Sequence, residues 1–174
     1  MKREYLAEHI RTVALLQGDF TLRSGIKSSF YFDKYRFESD PKILAAIAEQ
    51  MQELLPESYD RIAGLELGGI PIATVLSQLT GRPCLYVRKA AKSYGTRNLV
   101  EGSFNKGDRV IVIEDVITTA GQVCKSVVEM REAGLEVNHV VCAVDREQGG
   151  KESLNSIGCL LSSLFKSNDL GIGT

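Results

Sequence analysis

An adjacent acid pair, Glu114-Asp115, follows the apolar run Val110-Ile111-Val112-Ile113 and is followed by Val116-Ile117-Thr118-Thr119-Ala120-Gly121-Gln122. The β-branched run has no polar alternation, as expected of a parallel strand covered on both faces. In open α/β sheets, ligands gather at the carboxyl ends of such strands. The hydroxylic and small residues after the acids allow backbone N–H groups to approach a phosphate. Val123, Val127, Val128, Met130 and Leu135 recur at helical spacing, which places the turn at a helix N-terminus, where free amides and the macrodipole favour an anion. Two carboxylates beside an anion site need hydroxyl donors or a divalent cation to face. A phosphorylated sugar supplies both the anion and the hydroxyls.

A second cluster could grip a more highly charged ligand. Between Val87 and Leu99 stand Arg88, Lys89, Lys92 and Arg97 with no acid among them, and Gly95 lends mobility, so a loop spanning about 88–106 can close over phosphates. No G-x-x-x-x-G-K-[ST] occurs and no G-x-G-x-x-G follows a strand, which removes the Walker-type triphosphate and dinucleotide readings.

The chain has 174 residues, 44% of them hydrophobic and 25% charged, enough for one well-buried domain spanning 1–174. A net charge of -1 offers no general attraction to nucleic acid or an anionic membrane. Cys84, Cys124, Cys142 and Cys159 show no C-x-x-C spacing, as expected in a reduced, cytoplasmic setting. No apolar stretch is long enough to cross a bilayer, and Met1-Lys2-Arg3-Glu4-Tyr5 lacks a signal core. His9 and His139 have no metal partner at useful spacing.

The elements that must position these residues follow from periodicity. Leu6, Ile10, Val13, Ala14 and Leu16 predict an opening helix over 3–17, capped by Gly18. Residues 20–37 mix aromatics and charge and predict a small β element apart from the main sheet, a hood over a ligand. A helix from Pro41 to Leu55, a strand from Arg61 to Glu66, a glycine turn at Gly68-Gly69 and a helix ending near Gly81 come next. Strands are expected at Cys84–Val87, Val110–Ile113 and His139–Val144, with helices between the last two and after Gly150. The order is that of an α/β, doubly wound, mostly parallel sheet flanked by helices. The Gly-rich tail from Asn168 to Thr174 is expected to fray.

With strand, acid pair and turn in view, residues 110–122 resemble the phosphoribosyl pyrophosphate signature of the type I phosphoribosyltransferases. Phe20-Thr21-Leu22-Arg23-Ser24-Gly25 through Ser28 and Phe30-Tyr31-Phe32-Asp33, then Gly68-Gly69-Ile70-Pro71-Ile72-Ala73, then Arg88-Lys89-Ala90-Ala91-Lys92-Ser93-Tyr94-Gly95, resemble the orotate branch of that family, in its order and over nearly the whole chain. The resemblance implies transfer of ribose 5-phosphate from phosphoribosyl pyrophosphate to orotate, with Mg2+ held mainly by substrate oxygens rather than by a protein metal site. It further implies a homodimer sharing its loop across subunits, with no nucleic acid or membrane partner.

Residue by residue, the resemblance implies that Arg88, Lys89 and Lys92 grip the pyrophosphate and that Glu114 and Asp115 hold the ribose hydroxyls. Thr118, Thr119, Ala120, Gly121 and Gln122 would wrap the 5′-phosphate, with Val116 and Ile117 as further substrate contacts. Orotate would lie between Phe30 and Tyr31 of the hood and Arg146, with Arg23 and Tyr94 as further contacts. Lys92, Arg88, Lys89 and Asp115 carry the catalytic expectation. Lys replaces Arg23 and His replaces Tyr94 in many bacterial members, and because a phenol titrates near pH 10, Lys92 is the better basic group. Ala120 stands where Gly is common, so its φ is expected to be negative. The Leu67-Gly68-Gly69 turn resembles the family's pyrophosphate loop, which often carries a non-proline cis peptide. The rivals are transfer to a purine or uracil, which the 24–33 hood disfavours, and a non-catalytic sensor of the same sugar phosphate, which would need a basic face or an appended recognition element.

Overall fold

The structure, a computed structural model, describes residues 1–21, 25–90 and 99–172. Among them, six strands form the central sheet in the order β5-β4-β3-β6-β7-β8, and β1 and β2 form a separate antiparallel pair. The opening helix α1 spans Arg3–Ala14 and passes directly into β1, Leu15–Thr21. The expected helix therefore stops short of Gly18, which sits instead where the register of β1 against β2, Lys27–Phe32, shifts between Gln17 and Phe20. Residues 15–17 went to the strand because tertiary pairing with residues 30–32 outweighed local helical periodicity.

Helix α2 is short, Lys34–Glu38, and α3 spans Pro41–Gln52. The α3 start is strongly marked: Asp40 accepts from the N–H groups of Lys42 at 2.9 Å and Ile43 at 3.1 Å, and Pro41 occupies the first turn, where no amide partner is needed. Strand β3, Arg61–Leu65, leads into α4, Gly69–Thr80, which ends on Gly81 at φ +68. Strand β4 is Cys84–Val87, and β5, Val100–Glu101, runs antiparallel to it. The 88–106 segment is thus partly built into the sheet, its base closed by the Arg88 N–H donating to Leu99 O at 3.0 Å.

Strand β6, Arg109–Ile117, runs through the acid pair rather than ending before it, because β7, Glu136–Asp145, pairs with it as far as Ile117. Helix α5, Gly121–Glu132, joins the two; its Val123, Val127 and Met130 are buried, whereas Val128 is exposed and falls off the expected apolar face. Helix α6, Gly150–Ser156, leads to β8, Leu160–Lys166, a parallel strand that the apolar pattern did not announce. Its burial is graded rather than continuous, which weakens the signal.

Both faces of the sheet are covered. Ile111 and Ile113 point toward α1, α3 and α4, with Leu6, Ile47, Met51 and Leu76. Val110 and Val112 point toward α5 and α6, with Val127, Met130 and Leu154. Strands β3 and β4 are added toward one edge and β7 and β8 toward the other, so the strand order reverses between the parallel neighbours β3 and β6. A crevice opens at such a switch point. Among the described residues, no helix is long and apolar enough to cross a membrane.

The tail does not fray where it is described. Residues Ser167–Leu170 form a 3-10 turn, Leu170 and Ile172 are buried in the first core, and Asp169 pairs with Arg3 at 2.8 Å. Gly171 stands between buried Leu170 and Ile172, so composition alone misjudged the segment. Leu170→Ala is expected to lower unfolding free energy by about 2–4 kcal/mol, the range for emptying a buried leucine site, as read by urea denaturation; a change near zero would restore the frayed tail.

Candidate active site

The switch point holds a cavity of about 510 Å³, lined on one bank by Leu65, Glu66 and Leu67 and on the other by Glu114 and residues 116–123. Three glycines make the approach possible. A Cβ on Gly69 would lie 2.3 Å from Ile113 O, one on Gly68 would lie 1.6 Å from Asp115 Oδ2, and one on Gly64 would meet Gly69 O at 2.8 Å. No other residue type lets the start of α4 rest against the end of β6 at these separations. The Glu66–Leu67 peptide bond in this loop is cis, one bond before the Leu67-Gly68-Gly69 turn.

The turn after β6 presents Thr118 and Thr119 to solvent, and α5 begins with neither a side-chain cap nor an acid in its first turn. The first-turn amides and the helix dipole are left to favour an anion. Ala120 has φ +60, against the expectation of a negative value. Its methyl is tolerated in the left-handed region at a cost of about 1–2 kcal/mol. Among described residues, the other non-glycine with positive φ is Glu147, at the carboxyl end of β7. Ala120 lies on the crevice wall, where backbone strain tends to accompany function, whereas Glu147 lies away from it beside Lys166.

The acid pair divides along the pleat. Glu114 is half-buried and on the cavity wall, while Asp115 is fully buried behind it. Asp115 Oδ2 lies 2.6 Å from Lys34 Nζ, and Glu38 reaches the same carboxylate from α2. Burial pushes the Glu38 carboxyl up to about 8, helped by its hydrogen bond to Asp115. Burial also pushes Glu114 well above the usual carboxylate range, with its hydrogen bond to Asp115 adding to the effect. Burial alone would raise Asp115 too, but hydrogen bonds from Glu114 and Glu38, together with the Lys34 ammonium, hold it below its ordinary value. Glu38 therefore favours its neutral form beside the aspartate, and the Lys34 ammonium balances the Asp115 charge.

A sequence profile of the phosphoribosyl transferase domain matches residues 36–166. Orotate phosphoribosyltransferases of Nocardioides sp. and Methanocella arvoryzae are 54% and 49% identical to this chain, over 88% and 92% of it and 86% and 91% of their own lengths. The chain belongs to the orotate phosphoribosyltransferase family. Among solved structures, the Mycobacterium tuberculosis orotate phosphoribosyltransferase in complex with Fe(III) dicitrate superposes with a TM-score of 0.88 at 36% identity, covering 97% of this chain and 98% of that one. The same enzyme in complex with phosphoribosyl pyrophosphate gives 0.83 at 34% identity, covering 97% and 98%. The doubly wound, mostly parallel sheet with helices on both faces is the fold of the type I phosphoribosyltransferases.

Of the family's expected contacts, the cavity wall gathers Arg88, Lys89, Glu114, Val116, Ile117, Thr118, Thr119, Ala120, Gly121 and Gln122. Lys89 is oriented by its backbone N–H, which donates to Glu66 Oε2 at 2.9 Å. Phe30 and Tyr31 are exposed on β2, with Tyr31 against Phe20 at 5.6 Å between centroids, and neither lines the cavity. Arg146 also stands off the wall, although its N–H donates to Ile117 O at 2.8 Å and so anchors the β7 turn to the phosphate turn. Arg23, Lys92 and Tyr94 lie outside the described residues. Sequence reasoning did not single out Lys34, Tyr35, Glu66 and Ser126, all on the wall. For Lys34 and Tyr35 the available signal was their position directly after the Phe30–Asp33 hood motif.

A carboxyl whose folded pKa is raised stabilises the fold below its unfolded value and loses that contribution as pH rises toward the folded one. Between the ordinary 4.5 and about 8, Glu38 keeps its proton only in the folded protein. The melting temperature should therefore fall as pH rises through this window, and Glu38→Gln should flatten the fall, since an amide cannot lose that proton. Thermal scans across the window check this; parallel profiles for the two proteins would refute a neutral Glu38.

Proposed function

We propose that this protein transfers ribose 5-phosphate from phosphoribosyl pyrophosphate to N1 of orotate, giving orotidine 5′-monophosphate and pyrophosphate for pyrimidine synthesis in the cytoplasm. The observation that carries the reading is the switch-point cavity, whose wall brings Glu114 and residues 118–122 together with the basic pair Arg88 and Lys89. The 5′-phosphate is received by the amides of residues 118–122 at the start of α5. Glu114 accepts from the ribose hydroxyls, with Asp115 fixing it from behind. Arg88 and Lys89, joined by Lys92 from the loop, draw the departing pyrophosphate.

In the reaction the bond from the anomeric carbon to the pyrophosphate oxygen breaks and a bond to orotate N1 forms. Positive charge grows on the sugar and negative charge on the leaving group, so most of the work is electrostatic stabilisation and alignment. Orotate arrives as an anion and makes little demand on a base. Phe30, Tyr31 and Arg146 supply an aromatic and guanidinium surface suited to a planar anion, reached when the hood and the 88–106 loop come together over the donor. Closure keeps water from capturing the activated ribose. Arg23 and Tyr94 contact substrate from the same two segments.

Among described residues, no group of three or more His, Cys, Asp or Glu is arranged to hold a metal. The cavity nevertheless offers Glu66 and Glu114, two oxygen donors of the kind Mg2+ takes alongside substrate phosphates and water. These residues would hold Mg2+ together with substrate oxygens, and the ion would offset the negative charge of the pyrophosphate. The active unit is a homodimer in which one subunit's loop reaches its neighbour's cavity.

Loss of orotate absorbance on mixing protein, orotate, phosphoribosyl pyrophosphate and Mg2+ tests the assignment. Turnover should be confined to orotate when uracil, adenine and hypoxanthine are offered instead. Lys92→Ala and Lys89→Ala should each lower kcat/KM by about 10²–10³, the scale on which a group stabilising transition-state charge is usually felt. Turnover of another base would reassign the enzyme, and donor binding without turnover of any base would point to a sensor.

A further inference from the structure

Lys34 is placed where three parts of the site meet. It begins α2 immediately after the hood strand β2, and Asp33 just before it is tied to the end of α1 by its N–H donating to Ala14 O at 2.8 Å. Its ammonium pairs at 2.6 Å with Asp115, whose side chain has no exposure to solvent while that of Lys34 is 32% exposed. The same carboxylate packs directly on Gly68: a Cβ there would come within 1.6 Å of Asp115 Oδ2 and 2.8 Å of Glu38 Oε1. Hood, pyrophosphate loop and ribose-binding strand end therefore share one buried cluster. Asp115 leaned toward Lys34 leaves Glu114, its neighbour along the pleat, turned to the cavity.

We propose that Lys34 is a positioning residue for the phosphoribosyl donor: through its ion pair with Asp115 it locks the Glu114 turn and the Glu66–Gly69 loop into one arrangement set by the hood. This inference rests on the proposed reaction for its choice of donor, and it adds a residue outside the expected contacts. A buried charge that loses its partner is strongly disfavoured. Without Lys34, Asp115 must rotate, take up a proton or draw in water, and each of these disturbs Gly68 and Glu114 together. The donor half of the cavity is then no longer preformed, whereas the surface offered to the base is untouched.

The test is a double-mutant cycle on the full chain with Lys34→Met and Asp115→Asn, reading donor affinity by calorimetry with phosphoribosyl pyrophosphate and Mg2+, and KM for each substrate. Lys34→Met should weaken donor binding about tenfold and raise its KM in parallel, with orotate KM moving less than twofold, and Lys34→Arg should restore most of the loss. In the Asp115→Asn background, Lys34→Met should add little further loss, because the partner it acts through is gone. Full additivity in the cycle would mean that Lys34 touches the donor itself and would overturn the positioning role, as would equal loss for both substrates. Should Lys34→Met fail to fold, Lys34→Gln, which can still donate to Asp115, takes its place with a smaller expected loss and the same requirement of non-additivity. Donor binding that shows this coupling without orotate turnover would refute the proposed reaction while sustaining the cluster's role; no donor binding by the unaltered protein would overturn both.

Discussion

The close approach of Gly68 and Gly69 to the end of β6 is the constraint on which the site depends. An ordinary side chain at either position would collide with Ile113 O or with the Asp115 carboxylate. The strand order reverses between β3 and β6, so the helices that follow them, α4 and α5, pack on opposite faces and leave the cavity between them. The fold thus provides a crevice, and the missing side chains make it narrow enough for both banks to touch one ligand. The turn after β6 leaves the amides and dipole of α5 open to an anion, with no acid in the first turn to compete.

Bringing acids to an anion site carries an electrostatic cost, which the structure lowers by burying Asp115 against the Lys34 ammonium. Glu38, Asp115 and Glu114 lie together beside a cavity suited to phosphates, yet burial keeps both glutamic acids inclined to stay protonated and Lys34 offsets the aspartate. Ionised separately, three carboxylates at this separation would repel one another and the ligand. The Lys34–Asp115 pair, with Glu38 against it, packs behind the wall that carries Glu114. The arrangement also explains why the two members of the acid pair differ in exposure: successive residues on a strand point to opposite sides, so one acid meets the cavity and the other meets α2.

Much of the fold was legible in residue order. Val110–Ile113 reads as a strand buried on both faces, and it contributes alternately to the two cores. Asp40-Pro41 marks the start of α3 and Gly81 the end of α4, because caps are local chemistry. The errors have equally physical origins. The helix expected through Gly18 yields to strand pairing with residues 30–32, β8 lacks a clear apolar period, and the Gly-rich tail is held by buried Leu170 and by Asp169 on Arg3. For the helix and the tail a distant partner overrode the local pattern, and for β8 the local pattern was weak.

The sequence by itself determined the chemistry on offer: an acid pair between a buried strand and a hydroxylic turn, a glycine turn, a basic segment and an aromatic hood, each set by residue types within a short window. Tertiary structure alone decided which of these groups face the ligand. The pleat and the approach of Gly68 turned Asp115 inward and Glu114 outward, and the packing of α2 under β6 brought in Lys34 and Glu38 from far away in the chain. Pairing over such a distance leaves no periodic trace in the sequence, because it is fixed by where whole elements pack rather than by the neighbours of any one residue.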